Sequence, residues 1–170
     1  MKESLTVVMV ISALVLTGCG KKSESTPGVQ LATPAASTAS TASGGFGAPL
    51  SLAGGVTLTI SAPTKFTPGK FASNYLPGQA ANVFDVSLKN AGTLAIDPAT
   101  ISFAVNSGTN TCTEVLDGDN GVSGAPTDQI AAGTTSTFKF AIGCDAKAGA
   151  PLHFDITVGI SRASIEGKIA

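Results

Sequence analysis

From Val56 onward, apolar and polar residues alternate with a period of two. Val56, Leu58 and Ile60 alternate with Thr57, Thr59 and Ser61, and Phe84, Val86 and Leu88 with Asp85, Ser87 and Lys89. The pattern returns at Ile101, Phe103 and Val105, at Phe138, Phe140 and Ile142, and at Leu152, Phe154, Ile156 and Val158, where His153, Asp155 and Thr157 take the other face. Successive side chains of a strand point to opposite sides, so each run predicts a half-buried strand that donates one apolar face. Cys112 to Leu116 and Ile160 to Ile169 carry weaker versions and are read as further strands. Asn90-Ala91-Gly92, Asp97-Pro98, Ser107-Gly108, Asp117-Gly118, Ala132-Gly133 and Gly149-Ala150-Pro151 punctuate the runs with turn-forming residues. No useful length shows a helical period. Short strands between such turns predict an all-β fold of two antiparallel sheets packed face to face, a β-sandwich.

Upstream of Gly55 the alternation is lost. From Gly20 to about Gly55 the chain is rich in Ser, Thr, Ala, Pro and Gly, centred on Ala35 to Ser43. Such a segment buries too little apolar surface to offset roughly 1 to 2 kcal/mol of backbone entropy per residue, so it reads as a disordered tether. A coil of about 35 residues spans on the order of 30 Å. Before it, Leu5 to Leu16 form an apolar run of about a dozen residues, too short for a bilayer crossing that needs roughly 20, and placed where export signals sit. The expected division is a signal peptide at 1–18, a linker at 19–54 starting with Cys19, and a sandwich domain at 55–170.

Leu16-Thr17-Gly18-Cys19 resembles the bacterial lipobox. The resemblance implies that the Cys19 thiol takes a diacylglycerol carrying palmitate-type chains, that the signal is cut before it, and that the mature protein is extracytoplasmic and bound to the cell membrane by its lipid. At about 0.8 kcal/mol per buried methylene, the two chains of a diacylglyceryl group suffice for stable anchoring. The segment before the apolar run departs from the usual basic character, because Glu3 follows Lys2.

Charge narrows the partner classes. Charged residues make up 12% of the chain and the formal net charge is −1, far from the basic surface that nucleic acid requires. Three cysteines are present, and lipidation of Cys19 leaves Cys112 and Cys144 as an even pair for an oxidising compartment. A disulfide is expected; the alternatives are two buried thiols or a redox pair, although the Cys-x-x-Cys spacing of redox sites is absent.

Val83-Phe84-Asp85-Val86-Ser87-Leu88-Lys89-Asn90-Ala91-Gly92 resembles a strand and turn of the DUF4352-type, telokin-like immunoglobulin-like domains of many Gram-positive lipoproteins. The run from Cys112 through Asp117, Gly121, Gly124-Ala125-Pro126 and Ile130 to Gly133 is similar in order to the same group, with Ala132 in the place of a proline. The chain has no tryptophan, which excludes an antibody-type core. The likeness implies the sandwich fold and an address outside the cytoplasm, and no catalytic residue.

Candidate chemistry is sparse. His153 shares a strand face with Asp155, yet a triad also needs a nucleophile and an oxyanion hole, and no Gly-x-Ser-x-Gly elbow occurs; a solvated cross-strand pair is favoured. Asp117-Gly118-Asp119-Asn120-Gly121 with Asp128 offers oxygens to Ca²⁺, but Gly121 and Asp128 stand where an EF-hand needs an oxygen donor and a Glu, which favours a plain turn. Phe66, Phe71 and Tyr75 in the long segment 62–82 are the candidate binding loop, or else they fold back to plug one end of the sandwich. The expected function is non-catalytic: a lipoprotein that presents its sandwich to an envelope protein or a small ligand, with no cofactor. The alternative is a small-ligand or Ca²⁺-binding module.

Overall fold

The computed structural model describes residues 39–170, so the signal peptide, Cys19 and the linker as far as residue 38 lie outside the described residues. Its strands are β1 (Thr41–Gly45), β2 (Leu50–Leu52), β3 (Val56–Ile60), β4 (Thr64–Lys65), β5 (Ala80–Asn90), β6 (Ile101–Ser107), β7 (Asn110–Thr111), β8 (Thr113–Glu114), β9 (Thr135–Cys144), β10 (Pro151–Val158) and β11 (Ser161–Lys168). Among the described residues, helix is confined to three-residue 3₁₀ turns at Ala53–Gly55, Pro98–Thr100 and Gly118–Asn120. One sheet has the order β1-β11-β10-β6-β7; the other has β2-β3-β5-β9-β8, with β4 paired to β5. The fold is an all-β sandwich.

The alternating positions do what their period demands. Leu58, Ile60, Phe84, Val86 and Leu88 from one sheet meet Leu152, Phe154, Ile156 and Ile165 from the other in a single core, all within a few per cent of complete burial. Each contributes about 1.5 to 3 kcal/mol relative to exposure. Phenylalanine rings carry the contact between the sheets. Phe103 stacks on Phe140 with centroids 4.2 Å apart, and Phe154 meets Phe84 at 5.2 Å and Phe140 at 5.5 Å, both edge to face.

The disulfide is present between Cys112 and Cys144, with Cα atoms 4.4 Å apart and a sequence separation of 32. Cys112 lies where the chain crosses from β7 in one sheet to β8 in the other, and the bridge ties that crossing to the last residue of β9. The run from Cys112 to Leu116 is accordingly broken as a strand, while β11 is formed nearly as expected.

The domain begins earlier than the expected boundary at 55, and the linker reading of 41–54 is corrected. Thr41–Gly45 pairs with β11 in parallel, from Thr41 opposite Arg162 to Gly45 opposite Glu166, the one departure from antiparallel pairing among the described strands. Backbone pairing to a ready edge holds β1, four of whose five residues are exposed, so no apolar alternation marks it. Its turn then delivers Phe46, which stacks on Phe84 at 5.6 Å and meets Phe154 edge to face. Gly167 makes the space: a β-carbon there would stand 2.5 Å from the Phe46 ring.

Two measurements check this account. Phe46→Ala, at a half-buried site in a segment otherwise poor in apolar residues, should cost about 2 kcal/mol in urea unfolding, less than the roughly 3 to 5 of a fully buried ring. Replacing both Cys112 and Cys144 by Ala should cost about 3 to 4 kcal/mol on the loop-entropy estimate, and unfolding in the presence of reductant should show the same loss for the unaltered chain.

Candidate functional site

The aromatic segment is held by β4, whose Thr64 and Lys65 pair with Val83 and Asn82, and by the Phe66 amide donating to Ala81 O at 3.2 Å. The structure separates the three candidate aromatics. Phe66 and Tyr75 lie with Ala72 and Val83 over Val115, Val122 and Ala141, forming a second small core on the outer face of the β5-β9 sheet. The Tyr75 hydroxyl donates to Gln79 O at 3.3 Å. Phe71 is 73% exposed, with the Lys70 ammonium 4.6 Å from its ring centre. Phe66 and Tyr75 thus cover a sheet face, and a recess of about 290 Å³ beside them is lined by Lys65, Pro68, Gln79 and Ala146 as well. Phe71 does not line it.

The Asp117 loop is a closed turn. Asp117 and Val122 exchange backbone hydrogen bonds at 2.9 Å, and Gly121 takes the left-handed conformation that the turn requires, with φ of 68°. The Asp117 carboxylate points inward: Oδ2 accepts from the Gly69 amide and from the Asn120 side chain, each at 2.7 Å. These two bonds, the Gly69 amide first, hold its pKa below the usual carboxylate value against the opposing effect of burial. Asp117 therefore fastens the aromatic segment to the turn. Asp119 and Asp128 are exposed, and among the described residues no three His, Cys, Asp or Glu side chains converge on one point.

His153 lies on the outer face of the other sheet, 3.3 Å from Asp155 through Nε2 and 3.8 Å from Glu166 through Nδ1. Ser164, on the neighbouring strand, stands 3.3 Å from the same Nε2. A triad divides the two ring nitrogens between acid and nucleophile. Here the nearer acid, Asp155, and the serine meet the same nitrogen, and the acid at the other nitrogen, Glu166, stands 3.8 Å away on a side chain 84% exposed to water. The cluster is a cross-strand polar group of the kind that stabilises a solvated sheet face.

Two further features carried no strong sequence signal. A cleft of about 450 Å³ lined by Phe103, Val105, Phe140 and Ile142 opens beside Glu114, whose pKa is raised by burial. At one end of the sandwich a recess of about 360 Å³ lies between the β2-β3 turn, the 91–97 loop and the β10-β11 hairpin, with Val56, Ile96 and Val158 in its lining. Leu94 and Ile160 stand on it, 80% and 52% exposed. Leu94 is held in place from below. Buried Asn90 donates its side-chain amide to Leu94 O at 2.8 Å and Ile130 O at 3.0 Å, and accepts from the Gly92 amide at 3.1 Å. A β-carbon on Gly92 would collide with the Gly54 carbonyl, so the two loops close on each other. The signal available in sequence was an apolar residue inside a turn, Leu94 after Gly92-Thr93 and Ile160 after Gly159.

The Asp117 bonds give a pH dependence of known sign. A folded carboxyl titrating below the unfolded value of 3.8 adds stability at neutral pH, and that stability is lost as pH falls from about 3.8 through the folded pKa. Melting temperature followed against pH should fall less steeply below pH 3.8 in Asp117→Asn than in the unaltered chain.

Comparison of the sequence with protein-family models gives no match, and comparison with curated protein sequences gives none. Among solved structures the chain is similar to a protein from Bacillus subtilis described as a candidate lipoprotein, ycdA, at 14% identity and a TM-score of 0.54; the match covers 67% of this chain and 36% of that one. Others are an uncharacterised β-sandwich protein from Clostridium difficile (13% identity, 79% of this chain and 99% of that one, TM-score 0.45) and a FixG-related protein from Vibrio parahaemolyticus (11% identity, 67% and 94%, TM-score 0.41). At 14% identity the first likeness is one of fold, and it places this β-sandwich beside that of a protein described as a lipoprotein.

Proposed function

We propose that the protein is a lipid-anchored, extracytoplasmic lipoprotein whose sandwich is a non-catalytic module for binding another envelope component. The observation that carries the proposal is the odd cysteine. Cys112 and Cys144 are joined to each other, which leaves Cys19, directly after the apolar run and inside Leu16-Thr17-Gly18-Cys19, as the one cysteine outside that pair. A disulfide in a crossing between sheets suits an oxidising compartment, and the likeness in fold to the Bacillus subtilis protein is consistent with it. Non-catalytic use is supported by the geometry at His153, where Asp155 and Ser164 share Nε2 and the acid at Nδ1, Glu166, is 3.8 Å away and 84% exposed. A small-ligand module is the second reading, favoured by the recess beside Phe66 and Tyr75.

In the native host, the unaltered chain should incorporate labelled palmitate and sediment with membranes, and globomycin should arrest its processing. Cys19→Ser should abolish the label and release the exported protein into the soluble fraction. A Cys19→Ser protein that stays with membranes to the same extent as the unaltered one would refute the anchor.

A further inference from the structure

We propose that the end of the sandwich bearing Leu94 and Ile160 rests on the lipid bilayer that holds Cys19, so that the domain stands on its membrane in one orientation. The inference rests on the anchor proposed above and adds the docking surface.

Two side chains protrude where fold stability has no use for them. Ile160 occupies the tip of the β10-β11 hairpin, between Gly159, whose φ of 60° meets the turn's need for a left-handed residue, and Ser161, and it is 52% exposed there. Leu94 is more exposed still, and its loop is fixed by the three hydrogen bonds of buried Asn90. A rigid loop that presents a leucine to water costs little to dock, because few torsions remain to be frozen. Both residues line one recess whose apolar part is Val56, Ile96 and Val158 and whose polar part includes Thr93, Asp97 and Thr100, so they stand on a single surface.

The path of the chain selects the lipid surface as the occupant. Ser161, a lining residue of the same recess, accepts from the Ser40 hydroxyl at 3.0 Å, and Thr41 pairs with Arg162 next to it. The described chain therefore begins at the rim of this patch, with Cys19 about 20 residues upstream in sequence. A coil of that length has a mean span of roughly 25 Å. Tethering converts a weak contact into an intramolecular one at an effective concentration on the order of millimolar, which is what two apolar side chains need. Of the other exposed apolar residues, Phe71 and Leu76 lie on the segment between β3 and β5, and Leu116 follows β8 and bridges to that segment at Ser73. That segment lies toward the end of β5 opposite Asn90, away from the point where the tether departs.

The chain has no tryptophan, so a single one reports its own depth. Full-length lipidated protein carrying Leu94→Trp, Ile160→Trp or, as control, Leu76→Trp would be reconstituted into phosphatidylcholine vesicles with brominated acyl chains. Flotation reads the anchor and fluorescence quenching reads the docking. Expected are co-flotation of all three and quenching severalfold stronger at Leu94→Trp and Ile160→Trp than at Leu76→Trp. Co-flotation with equal or no quenching overturns the docking alone, as it would if the patch were covered by an upstream segment or another protein. Quenching stronger at Leu76→Trp overturns the orientation. Failure to float overturns the anchor and the docking with it.

Discussion

The contact between phenylalanine rings across the two sheets is the constraint on which the rest of this molecule depends. An antibody-type sandwich centres its core on a tryptophan against an inter-sheet disulfide. Here Phe84 and Phe140 from one sheet interlock with Phe103 and Phe154 from the other, and Phe46 joins them from the β1-β2 turn. Edge-to-face and offset rings fix the sheets more tightly than aliphatic contact does. The disulfide, buried in the same core, secures the crossing from β7 to β8. Once the sheets are fixed, the turn-borne residues at the Leu94 end and the outer-face cover of Phe66 and Tyr75 have a rigid base.

Strands with one wet and one dry face were legible because burial imposes a period of two on them. Residues 56–60, 84–88, 101–105, 138–142 and 152–158 fall inside β3, β5, β6, β9 and β10, with the expected residues buried or half-buried. β1 was not legible, because a strand made of Thr, Ala, Ser and Gly owes its place to hydrogen bonds with β11 and to the single Phe46 ring after it, and neither leaves a hydrophobic period. The role of Phe66 and Tyr75 was half legible. Their aromatic character marked them as contact residues, but nothing local said that Val115, Val122 and Ala141 would form an apolar patch on the outer side of the sheet for them to cover.

Polar residues in this chain serve mostly to shape turns. Asn90 is buried, and its side chain satisfies two carbonyls and one amide of the loops that meet at the Leu94 end. Asp117 joins Gly69 to Asn120 through Oδ2 alone, its buried Oδ1 having no hydrogen-bond partner among the described residues. A buried polar group is stable only when paired, so each fixes the loops around it as firmly as a core side chain would. The acidic composition of the Asp117 turn, which suggests a cation site when read as a string, is accounted for by this internal bonding, with Asp119 and Asp128 left in water.

The parallel pairing of β1 with β11 would have a mechanical consequence under the proposed anchoring through Cys19. The first strand after the tether is an edge strand, and its bonds to β11 run from Thr41 opposite Arg162 to Gly45 opposite Glu166, across the strand direction. Tension transmitted from the bilayer along the strand axis would load that ladder in shear, all bonds sharing the force, rather than peel them off one at a time. The Phe46 ring packed behind the strand on Phe84 and Phe154 would act as a stop, so a pull from the proposed anchor would meet the ladder in shear.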